Sequence, residues 1–367
     1  MAPDSDFLFP SGCDAADGAT AVPGALERLP KWLICVPLVV QWIWLSMRFG
    51  GPTVPSAANP LITAGGLVGE GKLEYFDTMG ALARAATAPY TSIFNDADFT
   101  ATALSARLAR ASLNLPVIAK PDLGLCGYGV RKIDTIEQLA AYVAAFPKNE
   151  TIVLQRYLPH ENEAGIFYAR DPRTGQGRII GLALRYFPRV LGDGASSTAQ
   201  LMQADARMRR PGASRAHEVT TDLARVPAYG EVVRLSTIGS TRVGGLYLNG
   251  AHLVTPALVN AIDAIARDMR EFHFGRFDVR FTSAHDLRAG AGFAIMEVNG
   301  AGSEAIEAWD PAIGLLEGFG RIFAKQRLLF EIGAANRARG ARTVSLFALA
   351  RLNARQCRLL NAYPPSN

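Results

Sequence analysis

Three separated stretches of the chain carry side chains suited to binding a metal–phosphate group. In the first, Lys120 ends a short apolar stretch and is followed by a glycine-rich turn at residues 122–129. A lysine ammonium neutralises phosphate charge, and glycines let backbone N–H groups approach phosphate oxygens. The stretch is neither a GxxxxGK[ST] phosphate loop nor a convincing dinucleotide fingerprint, because no helix is expected to begin at its third glycine. Alone, it is also compatible with a plain glycine-rich hairpin.

The second stretch offers hard oxygen ligands. Asp278 lies on one predicted short strand, and Glu297 and Asn299 alternate on another, so that their side chains point to the same face. Two carboxylates and an amide oxygen suit magnesium, which bridges the phosphates of ATP. A polar edge strand facing water is the alternative, but the apolar neighbours Phe277 and Ile295 favour strands within a core.

The third stretch is a predicted strand at residues 151–156 that runs into a loop, with Glu163 a few residues further on. Backbone groups of such a loop can bind the edge of an adenine, and a nearby carboxylate can accept hydrogen bonds from ribose hydroxyls. By itself this pattern is unspecific. The five histidines show no metal-ligand spacing, and we interpret them as structural.

The elements that must position these residues are predicted from periodicity and turn signals. Runs of strands with separate helices indicate an α+β protein, and Asn249-Gly250 predicts a hairpin turn. Helices are predicted at residues 72–80, 99–113, 135–145, 197–209 and 257–272. Strands are predicted at residues 116–120, 151–156, 164–170, 178–186, 232–235, 242–248, 253–255, 277–281 and 293–298.

Composition and cysteine spacing limit the class of protein. With 367 residues, 49% apolar and 19% charged, the chain is expected to fold into two or three lobes. Its four cysteines lie far apart without a CxxC pair, which indicates neither a disulfide framework nor a zinc site. Residues 1–30 lack the basic start and apolar run of a cleavable signal, so a cytoplasmic location is expected.

Residues 32–47 form an apolar segment between two cations. As a helix it would be about 24 Å long, shorter than the roughly 30 Å hydrocarbon core of a bilayer. Its three tryptophans would suit a membrane interface; they are Trp32, Trp42 and Trp44. A buried core helix, an interfacial anchor and a true span all remain open.

The positive charge is concentrated near the C-terminal end. Residues 321–358 hold nine Lys or Arg against one acid, Glu331, a net charge of +8 within a chain of net charge +5, so the rest carries −3. A solvated helical face is one interpretation. The other is contact with anionic lipid at the inner membrane surface, made together with residues 32–48. Nucleic acid is not an expected partner, because the basic segment lacks interleaved stacking aromatics.

Taken in chain order, these stretches resemble the ATP-grasp superfamily, which includes D-alanine–D-alanine ligase, glutathione synthetase and cyanophycin synthetase. The resemblance covers roughly residues 70–305. Lys72 is similar to the first phosphate-binding lysine of that family and Lys120 to the second, and the pattern E-V-N-G at residues 297–300 is specific. Residues 188–198 and 237–245 are similar to two segments of cyanophycin synthetase.

The resemblance implies a role for each candidate residue. The cofactors implied are ATP and Mg²⁺ or Mn²⁺, with Asp278, Glu297 and Asn299 as the metal ligands. Lys120 and Arg276 are the implied catalytic residues, with Arg276 steadying charge on an acyl phosphate. The residues implied to bind the nucleotide are Lys72, Lys120, Gly124, Gly127, Gly129, Gln155, Arg156, Tyr157, Leu158 and Glu163.

The resemblance also implies an ATP-grasp fold, in which two α+β lobes clasp ATP. The expected divisions are a flexible tail at 1–30, a short atypical pre-ATP-grasp region at 31–70, a small lobe at 71–157, a large lobe at 158–310 and basic C-terminal helices at 311–367. Two departures touch the substrate side. Only about 70 residues precede Lys72, where the family normally has a complete domain, and the loop at residues 300–304 differs from the T-S-P-G of the ligases.

The function implied is that of a carboxylate–amine ligase that forms an acyl phosphate and releases ADP, with small-molecule acid and amine substrates. Two alternatives remain. One is an ATP-grasp kinase that acts on a hydroxyl or phosphate group, and the other is a membrane-associated ATP-binding module without turnover. The expected location is cytoplasmic, with a peripheral membrane contact as the alternative.

Overall fold

The computed structural model describes residues 23–209, 219 and 221–367. Mixed helices and antiparallel sheets confirm the predicted α+β class. The helices are α1 (Ala25–Arg28), α2 (Lys31–Phe49), α3 (Lys72–Thr78), α4 (Ala81–Ala85), α5 (Ala101–Arg110), α6 (Ile136–Ala145), α7 (Thr198–Ala204), α8 (Pro256–Arg267), α9 (Ala284–Arg288), α10 (Leu315–Ala338) and α11 (Leu346–Ala362). The strands are β1 (Tyr90–Phe94), β2 (Val117–Pro121), β3 (Arg131–Ile133), β4 (Thr151–Arg156), β5 (Asn162–Arg170), β6 (Gly177–Tyr186), β7 (Arg189–Leu191), β8 (Val232–Arg234), β9 (Leu246–Asn249), β10 (Phe274–Phe281) and β11 (Phe293–Asn299).

A four-stranded antiparallel sheet in the order β1-β4-β2-β3 forms the smaller lobe. Helices α5 and α6 pack on it, and their apolar faces share one core with Ile93, Val117 and Leu154. Helix α6 begins where the Thr135 hydroxyl accepts a hydrogen bond from the Gln138 N–H group, which satisfies one of the unpaired donors at a helix start. This sheet carries Lys120 at the end of β2, facing the larger lobe.

A five-stranded antiparallel sheet in the order β11-β10-β5-β6-β9 forms the larger lobe. From Arg276 to Phe281, strand β10 alternates between charged and apolar residues, as a strand with one face in a core must. Phe277, Val279 and Phe281 enter the main core beneath α8. The intervening residues of β10 are Arg276, Asp278 and Arg280, so the opposite face of this sheet is charged.

The region between residues 232 and 255 differs from the prediction. Strand β8 pairs with β7, and β9 pairs with β6, so the predicted neighbours do not pair with each other. Residues 241–243 form a 3-10 turn, and Gly244 follows with φ +93°, a conformation that favours glycine and breaks the predicted strand. The hairpin expected at Asn249-Gly250 is absent from this described region, because the chain continues into a 3-10 turn at Ala251–Leu253.

Four helices end earlier than predicted, and an aspartate that binds backbone N–H groups follows two of them, α7 and α8. Helix α7 ends at Ala204, and the Asp205 carboxylate accepts hydrogen bonds from the N–H groups of Arg207 and Met208. Helix α8 ends at Arg267, and the Asp268 carboxylate accepts one from the Ala83 N–H group. The bonds of Asp205 are local and compete with continuation of α7, whereas Asp268 bonds to a residue far away in the chain.

The N-terminal part is more ordered than the tail predicted up to residue 30. Residues 1–22 of that tail lie outside the described residues. Helix α1 packs within residues 23–30, where Leu26 is buried and the Glu27 carboxylate forms a 2.9 Å ion pair with Arg207. Residues 50–71, predicted as loop, include two 3-10 turns. The buried Asn59 side chain bonds to both the Phe274 N–H and C=O groups, which fastens this segment to β10.

Helix α2 confirms the predicted helix at residues 32–47 and contradicts one of its three interpretations. Only 11% of residues 32–49 is buried, so α2 is not a buried core helix. It docks against α10 through Trp42, whose ring meets the Phe330 ring edge to face at 4.9 Å. By length and composition, α2 is the one helix of the described chain that could cross a membrane.

Candidate active site between the two sheets

Lys120 connects the two lobes. Its side chain is 5% exposed, and the ammonium donates hydrogen bonds to Gln155 Oε1 at 2.7 Å and to the Met296 carbonyl at 2.8 Å. Gln155 lies on the neighbouring strand of the small sheet, whereas Met296 lies on the edge strand of the large sheet. Both acceptors are neutral, so the ammonium charge is hydrogen-bonded without a directly bound carboxylate.

A β-bulge in β11 turns the Met296 carbonyl toward Lys120. Asp278 pairs with Glu297 across the two strands, but the next residue, Val279, pairs with Ile295, so Met296 is the extra residue. Such a bulge re-aims the backbone locally and shifts the register of the pairs beyond it by one residue. The backbone of Ile295 also bonds to residues 86 and 88 of the smaller lobe, which fixes the two lobes together at this edge.

Lys72, at the start of α3, completes a lysine pair. Its ammonium lies 3.3 Å from Glu297 Oε1 and 3.3 Å from the Asp122 carbonyl. A Cβ atom added at Gly124 would lie 2.9 Å from the same ammonium, so a glycine at this position leaves room for it. We call Lys72, Lys120 and Glu297 the lysine side of the site.

The predicted metal ligands lie together on the charged face of the large sheet. Asp278 and Glu297 are directly opposed in the β10–β11 ladder, and Asn299 Nδ2 donates to Asp278 Oδ2 at 3.2 Å. Among the described residues, no group of three or more His, Cys, Asp or Glu side chains could hold a metal ion. The oxygen donors available here are thus two carboxylates and one amide, a set that fits a hard cation such as Mg²⁺.

Three arginines surround the carboxylates of this face. Arg276 binds Asp278 through two atoms, Nε at 2.5 Å and Nη2 at 2.9 Å. Arg185 Nη1 lies between Asp278 Oδ2 at 3.1 Å and Glu163 Oε1 at 3.0 Å, and Arg280 Nε lies 3.6 Å from Glu163. We call these five residues the arginine side. Its two carboxylates are saturated by guanidinium groups, which are geometrically matched donors for them.

The residues predicted to bind the nucleotide after β4 have different environments. Gln155 is buried, and its amide donates to the Ala88 carbonyl at 3.1 Å. The side chain of Arg156 is exposed, but its N–H group donates to the Pro89 carbonyl at 2.8 Å. The Tyr157 ring lies between the cations of Lys132 and Arg280, and Arg280 also donates to the Leu158 carbonyl.

The glycine-rich turn lies over the site. Gly127 and Gly129 have φ of +74° and +70°, and Cβ atoms there would come within 2.9 Å of Ile238 and Pro121. Arg242 stabilises the turn, because its Nε donates a hydrogen bond to the Cys126 carbonyl at 2.9 Å. Both a positive φ and a close neighbour therefore require glycine at these two positions.

Residues 363–367 are hydrogen-bonded to both ends of the same turn and to Arg242. The Tyr363 hydroxyl donates to the Leu123 carbonyl at 2.6 Å, and the Asn367 N–H group donates to the Val130 carbonyl at 3.2 Å. Arg242 Nη2 donates to Ser366 Oγ at 3.0 Å. No local sequence pattern connects this segment with the site, because Tyr363 and Asn367 lie more than 200 residues after the positions they contact.

Two residues of the lysine side, Lys120 and Glu297, have strongly shifted pKa values. Burial lowers the pKa of Lys120 from 10.5 to about 8, although Glu297 works in the opposite direction. Burial alone would raise the pKa of Glu297, but Lys72, Lys120 and Arg276 together lower it to about 2. Glu297 is therefore ionised throughout the neutral range, as a metal ligand must be.

Several residues near the site were missed from sequence. Arg185 lies near the end of the predicted strand at 178–186, and Arg280 lies within the predicted strand at 277–281. Both were therefore assigned to strands, but no local sequence pattern indicated that they pair with acidic residues. Glu70 is a further carboxylate near Lys72 and Glu297. Burial raises the pKa of Glu70 to about 7, and burial cannot be foreseen for a residue in a glycine-rich loop.

A cavity of about 230 Å³ adjoins the arginine side. Apolar and aromatic side chains supply part of its wall, and charged groups supply the rest. The residues that line it include Glu161, Glu163, Leu184, Arg185, Phe187, Arg189 and Arg234. It thus reaches the predicted ribose carboxylate, Glu163.

Comparison with known proteins finds similarity at the level of structure. Neither a protein-family model nor a curated protein matches the sequence. A D-alanine–D-alanine ligase from Bacillus anthracis matches with TM-score 0.40 at 13% identity, over 74% of this chain and 68% of its own. The D-cycloserine synthetase DcsG matches with TM-score 0.39 at 11% identity, over 71% and 70%.

A bifunctional glutathione synthetase from Pasteurella multocida matches with TM-score 0.36 at 16% identity, over 66% of this chain and 34% of its own. The chain thus spans about a third of that enzyme. Glutathione synthetase and D-alanine–D-alanine ligase are also two of the enzymes that the sequence resembles. At TM-scores below 0.5, these matches do not by themselves assign an activity or a substrate to this chain.

Proposed function

We propose that this chain is a ligase of the ATP-grasp type, which uses Mg–ATP to join a carboxylate to an amine. The observation that supports it is the position of Lys120. Its ammonium bonds to a carbonyl one residue before Glu297, while Lys72 lies 3.3 Å from the Glu297 carboxylate. Two ammonium groups and three oxygen-donor side chains therefore meet at the junction of the lobes, as a metal–triphosphate requires.

The lysine side would bind the phosphates. Lys120 is hydrogen-bonded only to neutral acceptors in its nearest contacts, so its charge is available to an incoming anion. Burial makes that charge costly to keep without a partner, because the surroundings solvate it poorly. The backbone N–H groups of the glycine-rich turn would supply further donors to the phosphate oxygens.

The cavity beside Glu163 would take the nucleoside. Phe187 and Leu184 offer apolar surface for a base, and Glu163 offers oxygens for ribose hydroxyls. Glu163 is bound by two arginines, so it is held in one position before any ligand arrives. Preorganised contacts of this kind reduce the ordering that binding requires.

Asp278, Glu297 and Asn299 would hold Mg²⁺, with Mn²⁺ as a substitute. A cation bound there competes with Arg276 and Arg185 for the same oxygens of Asp278. Any loosening of the bidentate Arg276–Asp278 pair makes guanidinium N–H groups available to a substrate anion. Metal occupancy and substrate binding would therefore be coupled through one carboxylate.

ATP would transfer its γ-phosphoryl group to the substrate carboxylate and leave as ADP. An amine would then displace inorganic phosphate from the acyl phosphate to form the amide. The part of the protein is to place the two anions side by side and to neutralise their charge. Arg276 is the residue best situated to stabilise that charge, because it lies beside Asp278 on the same face of the sheet.

The test is ADP release by the full chain with Mg–ATP against a panel of carboxylic acids and amines, with mass analysis of the product. We expect ADP and a new amide for at least one pair. Lys148→Met is the matched control for Lys120→Met, because Lys148 is an exposed lysine paired with Asp98 on the surface. A phosphorylated alcohol as the only product would make the protein a kinase. ATP binding without any turnover would make it a nucleotide-binding module.

A further inference from the structure

Helix α2 exposes a continuous apolar stripe. Eight of its apolar side chains are between 40% and 73% exposed. At 100° per residue they fall within an arc of about 140°, and they extend for about 22 Å along the helix. The stripe consists of Trp32, Leu33, Val36, Val39, Val40, Ile43, Trp44 and Met47.

The opposite face of α2 is fastened to the protein. Leu45 is fully buried, and the Gln41 amide donates to the Phe323 carbonyl of α10 at 2.9 Å. Arg337 of α10 donates to the Phe49 carbonyl at 2.9 Å, which caps the C-terminal end of α2. The helix therefore lies along the body of the protein, and it would have to abandon these contacts to cross a bilayer.

The segment that carries the stripe has charged residues of one sign only. The sequence holds no Asp or Glu from residue 28 to residue 69, and it holds three cations in that interval, Arg28, Lys31 and Arg48. The guanidinium of Arg48 stacks over the Trp44 ring at 5.6 Å, so a cation and an interfacial aromatic stand side by side at the edge of the stripe. Tryptophan and basic residues are enriched where a protein meets lipid headgroups.

We propose that the stripe of α2 binds the surface of an anionic lipid bilayer, with the helix axis parallel to the membrane plane. The apolar stripe enters the headgroup–acyl boundary, and Arg28 and Arg48 contact lipid phosphates. The proposal is independent of the ligase assignment, because none of these residues contacts the site between the sheets.

Vesicle flotation with the full chain tests the proposal. We expect the protein to float with vesicles of phosphatidylcholine and phosphatidylglycerol, and to float less with phosphatidylcholine alone. The double substitution Val40→Asp and Ile43→Asp should weaken binding by about tenfold or more, since each carboxylate enters the centre of the stripe. The control is Leu82→Asp, an equally exposed apolar residue on α4, which should leave binding unchanged.

Tryptophan quenching by brominated lipids is a second measurement. It uses the unsubstituted protein, so it remains valid even if the aspartate variants do not fold. We expect quenching of the unsubstituted protein and its loss in the Trp32→Phe, Trp44→Phe double variant, because Trp42 faces Phe330 instead of lipid. Equal binding to both vesicle types overturns the choice of an anionic surface. Flotation that resists alkaline carbonate indicates a span, and self-association that the Asp variants abolish indicates a second copy of the chain. Either result, or no vesicle binding, overturns the proposal.

Discussion

The lysine side of the candidate site lies at the junction of the two sheets, and the arginine side lies beside it on the larger sheet. The two sides neutralise buried charge in different ways. On the arginine side, Arg276 and Arg185 enclose Asp278 at hydrogen-bonding distances, so charge is neutralised within the protein. On the lysine side, Lys120 is bonded to an amide oxygen and a carbonyl, and burial lowers its pKa to about 8. Each side has one more cation than carboxylate, but only Lys120 has no carboxylate among its nearest contacts.

This difference indicates at which side of the site a ligand gains most binding free energy. A phosphate that reaches Lys120 relieves an existing cost, because a poorly solvated ammonium acquires a counter-charge. A metal that reaches Asp278 must first displace guanidinium groups, since the carboxylate is already satisfied. We therefore expect nucleotide and metal to bind better together than either does alone.

The largest expected effect comes from removing the charge of Lys120. Lys120→Met should lower ATP-dependent turnover by about 100-fold or more, because one phosphate-directed cation in a buried site is lost. The measurement is ADP release at saturating metal. Lys148→Met should retain full activity, and a Lys120→Met protein that turns over normally would exclude Lys120 from the site.

The second largest expected effect is a difference in stability between a variant of the arginine side and a variant of the lysine side. Asp278→Asn leaves Arg276 without its buried counter-ion and leaves Arg185 with Glu163 alone, and we expect the free energy of unfolding to fall by about 3 kcal/mol or more. Glu297→Gln should lower it by about 1 kcal/mol, because the Glu297 side chain is 32% exposed and both lysines keep their carbonyl contacts. Urea denaturation of both variants checks this order. Equal losses would mean that the two sides are not electrostatically different.

The pH dependence follows from Lys120. Its pKa is lowered from 10.5 to about 8 in the folded protein, so the unfolded chain binds more protons between these values, and stability should rise as pH increases from about 8 to about 10. Affinity for ATP should move the other way, since the neutral amine no longer attracts phosphate. Calorimetric titration in buffers of different ionisation heat should show proton uptake on ATP binding near pH 8 to 9. Lys120→Met should abolish that uptake, and uptake that persists would assign it to another group.

An effect smaller than those of Lys120 and Asp278 is expected from the glycine-rich turn. Gly127→Ala places a methyl group 2.9 Å from Ile238 at a φ of +74°, and we expect a loss of about 1 to 2 kcal/mol in stability and a weaker affinity for ATP. Gly175→Ala is the matched control, because Gly175 has a φ of +70° but a Cβ there would have no neighbour closer than 4.0 Å. The difference between the two variants isolates the contact with Ile238. ATP affinity that falls equally in both would show that strain alone matters.

The sequence predicted elements well where one face is apolar, and less well where the chain turns. The alternation around Asp278, Glu297 and Asn299 correctly put the three on one face of two adjacent strands. The Met296 bulge, which carries the contact with Lys120, could not be predicted, because bulges depend on how two strands pair. The pairing of β7 with β8 was missed for the same reason.

The partners of the predicted residues were also hidden. Arg185 binds Asp278 and Glu163 from a strand nearly 100 residues before Asp278, and no periodicity links them. The roles predicted for Gln155, Arg156, Tyr157, Leu158 and the three glycines remain predictions. Helix α2 was recognised as apolar and helical, but its exposure became visible only when the position of α10 was known.

The most direct test of the central claim is a calorimetric titration of the full chain with a non-hydrolysable ATP analogue, with and without Mg²⁺, repeated for Glu297→Gln. We predict one binding site per chain, an affinity that depends strongly on Mg²⁺, and loss of that dependence in the variant. Binding of the analogue with the same affinity in all four titrations would contradict a metal–triphosphate site at this position.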